Sequence, residues 1–108
     1  MLRIKSASGF EIHAPNLEEI ARDLETSLHA RIGDVKGVRG ATVTLKDDVI
    51  TLVIEMDSKS WSEAEETVLS LVTAAVNDVH GLIASSEGNE PLASERIFNE
   101  RGMALVSA

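Results

Sequence analysis

His13, His29 and His80 are the side chains of this sequence best suited to metal ligation or proton transfer. Their spacing serves neither purpose: no HxxxH or HExxH occurs, so a metal site would have to be assembled entirely by the fold. His29 and His80 fall near the ends of two predicted helices, where an imidazolium complements the dipole and can bond free carbonyls. His13 belongs with Arg3 and Glu11 to the one candidate polar site, because all three project from the same face of a predicted N-terminal hairpin.

The most conspicuous carboxylates are Asp47 and Asp48, inside GATVTLKDDVITLVIEMDS. A calcium loop would need alternating acids, a central glycine and a terminal glutamate, none of which LKDDVITLV provides. Aspartate is also a frequent turn residue, since its carboxylate bonds nearby amides. A two-residue turn here pairs Lys46 with Val49, Leu45 with Ile50, Val43 with Leu52 and Ala41 with Ile54, so that every core-facing residue meets another. At the second central position, Asp48, a left-handed conformation would be tolerated.

Other chemistries leave no trace. The absence of cysteine removes disulfides, thiolate nucleophiles and cysteine-ligated metals. No GxSxG or SxxK places a serine nucleophile, and no GxxxxGK or GxGxxG cradles a phosphate. Acid pairs such as Glu19 with Asp23, or Glu65 with Glu66, read as solvated helix faces. No catalytic, cofactor-binding or metal-binding residue is assigned, and no cofactor is expected.

The elements that must position these groups form one modest domain. The chain has 108 residues, 44% hydrophobic and 26% charged, which is ordinary globular usage. With aromatic residues at 3%, Val, Ile, Leu and Ala must fill the core. The formal charge of −8 repels phosphate backbones, and the ten basic residues are spread along the sequence, so nucleic acid is not an expected partner. No run approaches the ~18 apolar residues of a spanning helix, so no membrane partner is expected and a cytoplasmic location is.

Period-two alternation on both sides of SASG predicts a first hairpin, with Leu2, Ile4, Phe10, Ile12 and Ala14 inward. Pro15 ends it and Asn16, with Glu19, forms a capping-box-like start to a helix carrying Leu17, Ile20, Ala21, Leu24 and Leu28, which stops near Gly33. The second hairpin follows. Ser60 and Glu63 then open a second helix, with Trp61, Ala64, Val68, Leu71, Val72, Ala75, Val76 and Val79 on its apolar face and Gly81 at its end.

That order, ββαββα, predicts an α+β two-layer sandwich: an antiparallel sheet with two helices on one face. The segment from Leu17 to Ile83 resembles the middle of a ferredoxin-like plait, which is the variant topology. GVRGATVTLKDDVITLVIEMD is similar in layout to small heavy-metal-associated domains, but those bind metal through a CxxC loop where this chain has HAPN, so the resemblance implies fold alone. The span from Gly37 to Leu82 resembles alkaline shock proteins on the same alternation. Residues 1–83 are expected to be the α+β domain. Residues 84–108 are expected to be a polar loop, ASSEGNEP, and a C-terminal segment packed on that domain as a short helix around Leu92 to Asn99, an edge strand from the apolar run Met103 to Val106, or both; the alternatives for that run are pairing with another subunit or fraying.

The outer sheet face would present Thr42, Thr44, Val49, Thr51 and Val53, scarcely charged. Faces of this kind are often buried against another subunit or partner. The expected function is therefore a non-enzymatic interaction or assembly module whose partner is itself, as a homodimer, or another protein. The alternative is a small enzyme or small-molecule-binding protein with a polar site on the sheet face or at a subunit interface.

Overall fold

The computed structural model describes residues 1–12, 15–87 and 98–107. In chain order these form β1 (Leu2–Ile12), α1 (Leu17–Ile32), β2 (Val38–Lys46), β3 (Val49–Ser58), α2 (Trp61–Glu87) and β4 (Phe98–Ser107). The strands make one antiparallel sheet in the order β2-β3-β1-β4. The α+β sandwich is as expected, and its connectivity, βαββαβ, is that of the ferredoxin-like plait.

The expected ββαββα order fails at the first hairpin, because SASG does not turn. β1 runs straight through it, pairing with β3 from Leu2↔Ser58 to Glu11↔Val49 and with β4 on its other edge. Serine and glycine are poor strand formers, but a strand bonded on both edges is held by its neighbours rather than by propensity. The alternation is in fact continuous: Ile4, Ser6, Ser8 and Phe10 all face inward and are buried.

The core lies between the sheet and both helices. Ile50, Leu52, Ile54 and Met56 of β3 meet Ile20, Leu24 and Leu28 of α1 and Ala64, Val68, Leu71, Val72, Ala75 and Val79 of α2. Val43 and Leu45 of β2 pack against it. The β2–β3 register is the expected one. The left-handed residue of its turn is Asp47 (φ 55°), at the first central position and not the second.

Helix ends differ in detail. Asn16 makes no side-chain cap, and its carbonyl accepts the Ile20 N–H at 3.1 Å. Ser60 does cap α2, its Oγ accepting the Glu63 N–H at 3.1 Å. Trp61, expected on the apolar face, is 45% exposed. Gly81 does not stop α2, which continues to Glu87; one interior glycine costs only about 1 kcal/mol against alanine. The expected division at residue 83 thus falls inside a helix. Of the expected C-terminal helix, residues 92–97 lie outside the described residues, and Phe98 and Asn99 begin β4. The apolar run Met103 to Val106 is part of that strand, antiparallel to β1.

The helices are also joined by charge. Arg31 donates to Asp78 through Nε (2.9 Å) and Nη2 (2.8 Å), and Ser27 Oγ donates to the same carboxylate at 2.6 Å. The Arg31 hydrogen bond, reinforced by Ser27, holds the Asp78 carboxyl below its ordinary range.

Candidate functional site

Antiparallel register sets the outer face in rows. Thr42, Val53, Ala7 and Ala104 lie abreast, and beside them Thr44, Thr51, Gly9 and Gly102. Thr42 and Thr44 are exposed, while Val49, Thr51 and Val53 are half-buried. The five residues proposed from sequence therefore share the face opposite the helices, and β1 and β4 extend it with alanine and glycine. The two central rows hold no charge, and side chains this small leave the face low in relief.

Among the described side chains, charge lies at the two ends. One end gathers three cations, Arg3, Lys5 and Arg39, with the carboxylates Glu55 and Asp57 opposite Lys5 and Arg3, and Lys36 and Lys59 lie beyond in a depression shared with Asp57 and Glu63. Asp57 accepts from Arg39 Nε at 2.8 Å and from Arg3 Nε at 3.5 Å, which hold its carboxyl below the ordinary range, Arg39 the more strongly. Arg39 reaches it because β2 skips a residue between Val38 and Gly40, a bulge of the kind that re-aims a side chain. An open depression of about 470 Å³ follows this part of the face, lined by Lys5, Arg39, Thr42, Val53 and Glu55 among others. At the other end stand Glu11, Asp47 and Asp48, with Lys46 beside them.

The basic end was invisible as a cluster in the sequence, where its residues are scattered from Arg3 to Lys59. The signal was positional: they sit at the start of β1, before and in the start of β2, and after β3, which antiparallel pairing brings together. The candidate polar site fares differently. Arg3 and Glu11 do share the outer face, but on one strand they stand eight residues apart, roughly 26 Å. His13 lies outside the described residues. Without the first hairpin, Arg3 joins Asp57 instead. Among the described residues no group of three or more histidine, aspartate and glutamate side chains is placed to hold a metal ion.

His29 has a role that its sequence position did not indicate. Its Nε2 lies 2.8 Å from the Ala41 carbonyl, and one turn earlier Glu25 Oε2 accepts the Val43 N–H at 3.2 Å. Glu25 and His29 thus occupy outward backbone groups of β2, an edge strand, which would otherwise be free to pair with another chain. These two contacts cover part of the β2 edge.

No protein family matches the sequence, and no curated protein matches it significantly. Solved structures do resemble it. A conserved protein from Methanosarcina mazei Go1 superposes with a TM-score of 0.59 at 11% identity, covering 99% of this chain and 93% of its own. A "putative Antibiotic biosynthesis monooxygenase" from Chloroflexus aurantiacus J-10-fl gives 0.57 at 10% identity, covering 98% and 92%. At these identities the likeness is one of fold.

Proposed function

We propose that this chain is a non-enzymatic assembly module that pairs with a second copy of itself through the outer face of its sheet. The observation that carries the reading is the division of that face into an end where Arg3, Lys5 and Arg39 outnumber Glu55 and Asp57, an uncharged centre of small residues, and an end where Glu11, Asp47 and Asp48 outnumber Lys46. Consider a two-fold axis lying between two such faces and running across the strands. It brings the basic end of each copy against the acidic end of the other, while an axis along the strands would oppose like charges.

Size supports the same partner. Four strands of about ten residues present roughly 600 Å² of projected sheet, and more as accessible surface. A standard interface takes about 800 Å² per partner. Threonine, valine, alanine and glycine in the centre let two sheets approach to the ~10 Å of ordinary sheet packing. Val106, 54% exposed and abreast of Lys5, adds apolar area near the basic end.

The test is molar mass in solution, by light scattering over a concentration series. Wild type is expected to give twice the chain mass, and Val53→Lys the mass of one chain. An uncompensated charge buried in an interface costs about 3–5 kcal/mol, two to four orders of magnitude in Kd. Ser70→Lys, on the exposed flank of α2, is the control that should keep the wild-type mass. A wild type that stays monomeric to millimolar concentration overturns the proposal.

A further inference from the structure

The inner face of β1 breaks its own pattern. Between buried Ile4 and Phe10 it places Ser6 and Ser8, where alternation calls for apolar side chains. Ser6 has a structural partner, its Oγ donating to the Ile54 carbonyl at 3.4 Å. Ser8 has none among the described residues: it is 2% exposed, and its Oγ meets no hydrogen-bond partner there. A buried hydroxyl left unpaired costs about 1–3 kcal/mol. For filling space alone, alanine would serve at no such cost.

Ser8 lines a cavity of about 140 Å³ between β1 and α2. Phe10, Val72 and Val76 also line it, with the more exposed Leu69, Thr73 and Asn77. The helical members recur at the spacing of one helix stripe. The β1–β4 ladder is irregular at the same level, its register shifting between Gly9 and Phe10 and skipping Arg101. Bulges are over-represented at sheet edges and next to active sites.

We propose that this cavity binds a small uncharged ring compound bearing one hydroxyl, of the simple phenol class, with that hydroxyl paired to Ser8. Volume sets the size, since an apolar cavity of about 150 Å³ accepts benzene. Lining chemistry sets the character: among the described lining residues no side chain is ionisable, Phe10, Leu69, Val72 and Val76 are apolar, and Ser8 is the one buried polar residue. Thr73 and Asn77 could meet a second polar substituent at the rim. The proposal is independent of association, because the cavity and the outer face lie on opposite sides of the sheet.

The test uses phenol and, as its apolar counterpart, toluene, titrated into the full chain and followed by amide chemical shifts. For wild type we expect saturable phenol binding, with shifts concentrated at residues 8–10 and 69–77. Ser8→Ala should weaken phenol about three- to tenfold, the worth of one neutral hydrogen bond, and leave toluene unchanged. In the absence of ligand the same variant should melt at a higher temperature, having lost its orphan hydroxyl. Val76→Phe, which fills the cavity, should abolish binding of both compounds. The proposal is overturned if phenol does not saturate, if Ser8→Ala binds it as tightly as wild type, or if Val76→Phe still binds it.

Discussion

Gly37→Ala is the substitution whose effect can be worked most closely from the geometry. Gly37 enters β2 at φ +87°, and its carbonyl accepts the Asp57 N–H at 2.7 Å. A Cβ at this position would lie 2.5 Å from the Asp57 carbonyl oxygen, which is backbone and cannot swing aside. Asp57 is also held from the other direction by Arg3 and Arg39. An L-residue in the left-handed region costs about 1–2 kcal/mol. Displacing Asp57 adds about 0.5–1.5 kcal/mol for the bond to Gly37, and the stiffer unfolded chain returns about 0.4–1 kcal/mol. The net loss is about 0.5–3 kcal/mol. With a urea m-value near 1–1.5 kcal/mol/M, the unfolding midpoint should fall by roughly 0.3–3 M. Gly33→Ala is the internal control, since Gly33 has φ −62° and nothing within 4 Å of its added Cβ. That variant should gain about 0.4–1 kcal/mol. If the two alanines move the midpoint in the same direction, the close approach of Gly37 to β3 is wrong, and with it the placement of the basic end.

Two further outcomes follow from individual contacts. Glu25→Ala removes the acceptor for the Val43 N–H and should expose the β2 edge; light scattering during slow heating should show aggregation beginning at a lower temperature than in wild type, and an unchanged onset would mean the edge is protected by something else. Asp78 and Asp57 titrate below the ordinary carboxylate range because of their arginine partners. Their contribution is therefore complete above the unfolded-state pKa of about 3.9 and lost as pH falls through the lower folded value. The stability difference between wild type and Asp78→Asn should be constant near neutrality and shrink below about pH 4, and a difference that grows in acid would refute the pairing.

What the sequence revealed depended on whether local pattern and long-range pairing agreed. From Ala41 to Ile54 they do, and the register, the place of the turn and both faces could be read directly, whereas its left-handed residue, Asp47, could not. Around SASG they conflict: composition suggested a turn, and only the unbroken phase of Leu2, Ile4, Phe10 and Ile12 pointed to a single strand. Losing that hairpin separated Arg3 from Glu11 along β1. The basic end could not be read at all, because Arg3, Lys36, Arg39 and Lys59 become neighbours only when β1, β2 and β3 are aligned. Nor could His29, whose partner is a backbone carbonyl twelve residues on.

The misread tetrapeptide is also where the two proposed activities meet. In a strand, alternate residues face opposite ways, so Ser6 and Ser8 go under α2 while Ala7 and Gly9 go to the centre of the outer face. Larger side chains on the inside would fill the cavity and leave no orphan hydroxyl. Larger side chains on the outside would hold a second sheet away from Thr42, Thr51 and Val53. Small residues on both sides of a central strand weaken it locally, at a cost of about 0.5–1 kcal/mol for glycine alone. In β1 that cost is offset by ladders on both edges. A segment whose only task was to pack would gain from valine or isoleucine at each of these positions. Because the two faces are one residue out of phase, they can be tested separately: Val53→Lys acts on the outer face alone, and Ser8→Ala on the inner. A Val53→Lys monomer that still binds phenol like wild type would establish that the cavity belongs to the single chain.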